Sequence, residues 1–88
     1  MIEKSLVIQN QLGLHARPAA LFVKRASQYL SRVSISKDGI EVDGKSILGI
    51  LMIACEKGSE ITLKVEGEDE KECIQSLMDL VLGKFDEE

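Results

Sequence analysis

The sequence predicts a two-layer α+β sandwich in the order β-α-β-β-α-β-α, one sheet face wet and the other covered by three helices. Three observations carry this. Short alternations of apolar and polar residues recur at residues 2–8, 32–37, 40–42 and 61–65, the period of half-buried strands. Between and after them lie stretches with apolar residues at helical spacing. An Asp-Gly pair at 38–39 joins two alternating runs, the strongest short hairpin signal. At 88 residues with 44% hydrophobic content, the chain is expected to form one domain over 1–88 with a single core.

Leu6 and Ile8 define the inward side of the first strand. "NQLGLHARP" breaks that period, and Ala19, Phe22, Val23, Ala26 and Leu30 then form one helical stripe. Pro18 belongs in the first turn of this helix, where its missing N–H costs nothing. "RVSISK" turns Val33 and Ile35 inward, and "IEV" returns with Ile40 and Val42 inward. Ser46 is placed to cap a short helix over about 47–54, since its hydroxyl can accept from a first-turn N–H. "ITLKV" gives a fourth strand with Ile61, Leu63 and Val65 on one face. Glu68, Asp69, Glu70 and Glu72 crowd the start of the last helix, as its positive end favours. Ile74, Leu77, Met78, Val81 and Phe85 are its apolar side.

The second helix is ambiguous. "ILGILMIAC" is apolar nearly all round, with Ile47, Ile50 and Ala54 in one stripe and Leu48, Leu51, Met52 and Cys55 in another. Periodicity does not choose which stripe faces the sheet.

Composition excludes several classes of function. No apolar run approaches the roughly 18 residues of a membrane helix. The charged N-terminus lacks the pattern of a secretory signal, so a cytoplasmic location is expected. Cys55 and Cys73 lie in apolar helical contexts without metal-ligand or C-x-x-C spacing and read as reduced thiols in or near the core. No metal site and no cofactor are expected. Charge is unevenly distributed: residues 1–37 carry six bases against one acid, and residues 38–88 carry five lysines against fourteen acids. That asymmetry points to a basic face for an acidic partner. Nucleic acid is a poor candidate, because there is neither a basic cluster nor interleaved aromatics.

"GIEVDGKS", Gly39 to Ser46, fits the phosphate-loop pattern G-x-x-x-x-G-K-[ST]. Its middle residues argue against that role. Ile40 and Val42 are β-branched, poor choices for a bare backbone nest, and Glu41 and Asp43 would repel phosphates. They already serve as the second arm of the hairpin. A nucleotide-binding enzyme therefore rests on a coincidental match.

The chain's one histidine offers different chemistry. His15 precedes a helix, and Ala16, Arg17 and Pro18 form its start. Helix-start N–H groups favour anions, and the Arg17 guanidinium can donate to phosphate through two N–H groups. A phosphoryl group on the imidazole of His15 would meet those N–H groups and the guanidinium. Nothing near it in sequence completes a hydrolytic triad. If His15 acts, it accepts and passes on a group. Arg17, Ala20 and Lys24 share one helix face, a basic rim beside it.

"LGLHARPAALFV" and "GKSILGIL", with thirty-one positions from His15 to Ser46, resemble the histidine-containing phosphocarrier (HPr) family of the bacterial phosphoenolpyruvate-dependent sugar phosphotransferase system. The similarity extends along the whole chain, including "KGSEITLKVEGEDE". The resemblance implies an antiparallel sheet in the strand order 1-4-2-3. It implies phosphoryl transfer through Nδ1 of His15 with Arg17 assisting, from enzyme I to sugar-specific enzyme IIA domains. Such a protein is a carrier phosphorylated in transit, not a free-standing enzyme, and is expected to be a monomer. The resemblance also implies regulatory phosphorylation of Ser46 by a dedicated ATP-dependent kinase (HPr kinase/phosphorylase). It favours Ile47, Leu48 and Leu51 as an exposed docking patch, alongside Ala20 and Lys24. Asp43 and Leu48 stand where better-known relatives often carry Asn and Met. "DGKSILGILM" with its acidic tail is similar to branches that include nitrogen-regulatory paralogues. The alternative is such a paralogue, or a regulatory interaction module controlled by phosphorylation.

Overall fold

The computed structural model describes residues 1–86. Its elements are β1 (Ile2–Val7), α1 (Ala16–Ala26), β2 (Arg32–Lys37), β3 (Ile40–Asp43), α2 (Ile47–Met52), β4 (Glu60–Glu66) and α3 (Glu70–Leu82), followed by a 3-10 turn over Lys84–Asp86. The four strands form one sheet in the order β1-β4-β2-β3, every pair antiparallel. Leu6 lies opposite Ile61, and Val33 opposite Val65, so the apolar partners share the helix-covered face. Phe22 from α1, Ile50 from α2 and Leu77 from α3 meet Ile8, Ile35 and Leu63 in the core. The opposite face carries Ser5, Thr62, Lys64 and Glu41, with Lys64 Nζ 3.2 Å from the Glu41 carboxylate. Among the described residues, no helix is long and apolar enough to cross a membrane.

The hairpin forms where expected. Asp38 and Gly39 have φ of 53° and 83°, the two left-handed residues that a type I′ turn requires. Four expectations need correction. Helix α1 stops at Ala26, and Leu30 is 85% exposed outside the core stripe. The cause is long-range: the Asp69 carboxylate accepts the Leu30 N–H at 2.8 Å, the Ser31 N–H at 2.9 Å and the Ser31 hydroxyl, which fixes the turn into β2. Ile40 lies opposite Lys37 at the turn end of the hairpin, where little covers it, and is 61% exposed. Helix α2 ends at Met52, so buried Cys55 follows the helix instead of lying within it. Phe85 is buried, but it reaches the core through a left-handed turn at Lys84 and Phe85 after α3 has ended.

Asp69 was expected to serve the positive end of α3. It is the N-cap residue, yet its side chain makes no capping bond there and reaches to the α1–β2 turn instead. The Ser31 hydroxyl and the Leu30 and Ser31 N–H groups hold its carboxyl below the usual carboxylate range. A depressed folded-state pKa means that this stabilisation is present above the unfolded value near pH ~3.9 and is lost as pH falls through the folded value. Asp69→Ala is therefore expected to melt below the native chain at pH 7, with the gap narrowing below about pH 4. Thermal melts of both proteins across pH 2–7 check this. A gap independent of pH would show that the carboxylate charge is not what matters.

Candidate functional site

The site is built where two loops press together. In the loop before α1, the fully buried Asn10 donates from Nδ2 to the Gly13 carbonyl at 2.7 Å, and the Gly13 N–H returns to the Asn10 carbonyl at 3.1 Å. Gly13 adopts φ of 67°, and a Cβ there would lie 2.3 Å from the Cys55 carbonyl oxygen. No side chain fits such an approach, which gives this glycine its physical reason. The next residue, buried Leu14, donates its N–H to the same Cys55 oxygen at 2.7 Å. His15 follows as the half-buried N-cap of α1, with extended backbone angles and no capping bond from its side chain.

The first intrahelical bond runs from the Ala19 N–H to the His15 carbonyl at 3.0 Å. Ahead of it stand the N–H groups of Ala16 and Arg17, two donors for which the helix supplies no acceptor. Pro18 is the third residue of α1 and is buried. It has no N–H, so it shapes this helix start without donating to an anion. Arg17, Ala20 and Lys24 are exposed on α1, as the expected basic rim requires.

The wider basic half of the chain does not form one face. Arg25 donates to the Ser76 carbonyl and hydroxyl at 3.2 and 3.1 Å, tying α1 to α3. Lys37 donates to the Ala54 carbonyl at 2.9 Å, and Arg32 lies on the outer side of the sheet opposite Glu66.

Residues Gly39 to Ser46 do not cradle a phosphate. Ile40–Asp43 is strand β3, paired with β2, and Lys45 Nζ donates to the Tyr29 carbonyl at 2.8 Å. Ser46 is the N-cap of α2, its hydroxyl accepting from the Gly49 N–H at 3.0 Å. Since Tyr29 lies just past α1, and Leu14 just before it meets Cys55 just past α2, the two helices run antiparallel. His15 and Ser46 thus sit at opposite ends of α2, a helix about 9 Å long at 1.5 Å per residue.

Burial decides the ambiguity of α2. Ile50 and Ile53 face the core, whereas Ile47, Leu48, Leu51 and Met52 are exposed, Leu48 and Met52 by 70% and 73%. The exposed patch takes Ile47 from one sequence stripe and Leu48, Leu51 and Met52 from the other. Met52, absent from the expected docking residues, extends it towards the His15 end. Both cysteines are buried and free; burial raises the Cys55 thiol and pushes Cys73 up to about 11, which leaves each a protonated core side chain near neutral pH.

Comparison with known proteins matches this arrangement. A family model described as the PTS HPr component phosphorylation site matches residues 2–82. Phosphocarrier protein HPr of Neisseria meningitidis is 45% identical over 87 residues, which cover 99% of this chain and 98% of that protein. The crystal structure of HPr from Thermoanaerobacter tengcongensis superposes with a TM-score of 0.96 at 46% identity, covering 100% of this chain and 99% of the other. That of Crh, the Bacillus subtilis catabolite repression containing protein, superposes with a TM-score of 0.77 at 40% identity, covering 96% and 97%. Crh is a dimer with a swapped domain in its crystal, so kinship alone does not establish the monomer expected from sequence. In sequence, sheet order and helix placement alike, this chain belongs to the HPr family of phosphocarrier proteins of the phosphotransferase system.

Proposed function

We propose that this chain carries a phosphoryl group on His15, taking it from phospho-enzyme I and passing it to enzyme IIA domains, as a cytoplasmic monomer. The observation that carries the reading is the seat of His15, an N-cap held by the Leu14–Cys55 bond in front of two helix-start N–H groups. The Nδ1 lone pair attacks phosphorus, and an N–P bond forms as the bond from phosphorus to the donor breaks. The Ala16 and Arg17 N–H groups and the Arg17 guanidinium stabilise the phosphoryl oxygens. Transfer onward reverses the step: the N–P bond breaks and the lone pair returns to the ring. The apolar patch of α2 and the rim of Arg17, Ala20 and Lys24 receive both partners. Incubation with phosphoenolpyruvate, magnesium and enzyme I tests the reading. Acid-labile phosphate on the native chain is expected, and an unlabelled chain defeats it.

Ser46 is proposed as the regulatory site, phosphorylated by an ATP-dependent kinase. A phosphoserine brings ~2 negative charges to the start of α2, where the helix end tolerates them. The effect on His15 passes through the docking patch, since the length of α2 separates the two residues. Ser46→Asp retains an N-cap and is expected to keep a near-native melting temperature. It should slow transfer from enzyme I by on the order of 10-fold at low salt, with partial recovery as salt screens the added charge. Unchanged kinetics would remove Ser46 from the regulatory reading. The kinship with Crh favours a second reading, a regulatory module whose output is partner binding, and the nitrogen-regulatory branch is its close variant. Labelling by the enzyme I of each branch separately distinguishes them.

A further inference from the structure

We infer that Asn10 and Lys37 are positioning residues for His15, each acting through the backbone that it holds. The inference rests on phosphoryl acceptance at His15 and deepens it. The loop carrying His15 meets the rest of the molecule through the Leu14 N–H and the Cys55 carbonyl. Each side of that contact is braced by one side chain. On the His15 side, Asn10 is fully buried, and its Nδ2 fixes the Gly13 carbonyl, whose peptide bond joins Gly13 to Leu14. On the Cys55 side, Lys37 Nζ fixes the Ala54 carbonyl, whose peptide bond joins Ala54 to Cys55.

Both braces act where the backbone needs support. Gly13 and Ala54 have φ of 67° and 46°, and the alanine is in a left-handed conformation that a Cβ disfavours. A buried side-chain amide is also costly unless it is bonded, so Asn10 holds a defined position. Lys37 adds a cation at the C-terminal end of α2, where it offsets the partial negative charge of the last carbonyls. The geometry thus links Lys37, Ala54, Cys55, Leu14 and His15 in one run of peptide and hydrogen bonds. In-line transfer is sensitive to small displacements of the attacking atom, so the braces act on the rate of the chemical step and not on partner affinity.

The test compares Asn10→Leu, Lys37→Met and Lys37→Arg with the native chain in transfer from phospho-enzyme I, well below the melting temperature of each. Asn10→Leu keeps the approximate volume and loses the donor. It is expected to lower kcat by on the order of 10-fold with KM for enzyme I unchanged. Lys37→Met is expected to lower kcat by roughly 3-fold. Lys37→Arg, which again supplies an N–H donor, is expected to restore it. In parallel, hydrogen exchange of the Leu14 amide should quicken in Asn10→Leu and Lys37→Met and return to the native rate in Lys37→Arg. Native kcat in Asn10→Leu and Lys37→Met overturns the inference, and so does a raised KM with native kcat. If Asn10→Leu does not fold, the Lys37 pair decides by the same criteria. If the native chain takes no phosphate from enzyme I, the phosphocarrier reading falls by itself. The braces are then judged by Leu14 exchange and the His15 amide chemical shift, and native values in the variants overturn them.

Discussion

The His15→Ala variant should carry no acid-labile phosphate after incubation with phosphoenolpyruvate, magnesium and enzyme I, while its melting temperature moves by less than about 5 °C. His15 is the only histidine of the chain, so no second imidazole can take over. Its side chain makes no capping bond to α1, and the helix start is held through the backbone by the Leu14–Cys55 bond and the Ala19 N–H to His15 carbonyl bond. An alanine retains both backbone bonds. Loss of label with the fold intact therefore assigns the chemistry to the ring. Ser46 provides the internal control: a phosphoserine ester survives acid, and its formation requires ATP and a kinase. Label that persists in His15→Ala and is acid-labile would place the accepting group elsewhere and defeat the carrier mechanism.

The second large effect is expected at a residue with no functional group. Gly13→Ala should lower stability by about 2–5 kcal/mol and slow phosphoryl acceptance by on the order of 100-fold. Its Cβ would meet the Cys55 carbonyl oxygen at 2.3 Å and Glu56 Cα at 2.9 Å. Both are backbone atoms, so no side chain can swing aside. Relief requires the two loops to part, which breaks the Leu14–Cys55 bond and turns His15 away from its seat. Gly39→Ala is the matched control. Gly39 also has positive φ, at 83°, but a Cβ there meets nothing within 4 Å. It should cost about 1 kcal/mol from backbone strain alone and leave transfer unchanged. Chemical unfolding and single-turnover kinetics on both variants separate strain from collision. Equal losses in the two variants would show that the close approach at Gly13 is unimportant.

Much of the molecule was legible because its signals are local. Alternation marked the strands, a period near 3.6 residues marked α1 and α3, Asp38-Gly39 marked the hairpin, and Ser46 proved to cap α2. The candidate site was legible for the same reason: His15, Arg17 and Pro18 occur within four consecutive residues, and a helix start confers its anion preference on whatever lies there. The phosphate-loop match was resolved by the same reasoning, since β-branched residues suit a strand better than a nest.

What periodicity missed depends on residues distant in sequence. Leu30 fitted the α1 stripe, but Asp69, thirty-nine positions away, binds the backbone at Leu30 and Ser31 and ends the pattern. Asn10 lies in the segment that breaks the first strand's period, and nothing local signals that the fold buries it completely. The two stripes of α2 were equivalent until the sheet covered Ile50 and left Leu48, Leu51 and Met52 exposed.

By itself, then, the sequence determined the order of elements, the hairpin, the α2 cap and the place of its one histidine at a helix start. These follow from backbone preferences over a few neighbouring residues. Only the tertiary structure decided which face of α2 is left exposed, where the basic side chains are held, and which bonds hold the loop of His15. Each of those is an outcome of burial and hydrogen bonding between segments that meet only when the chain folds.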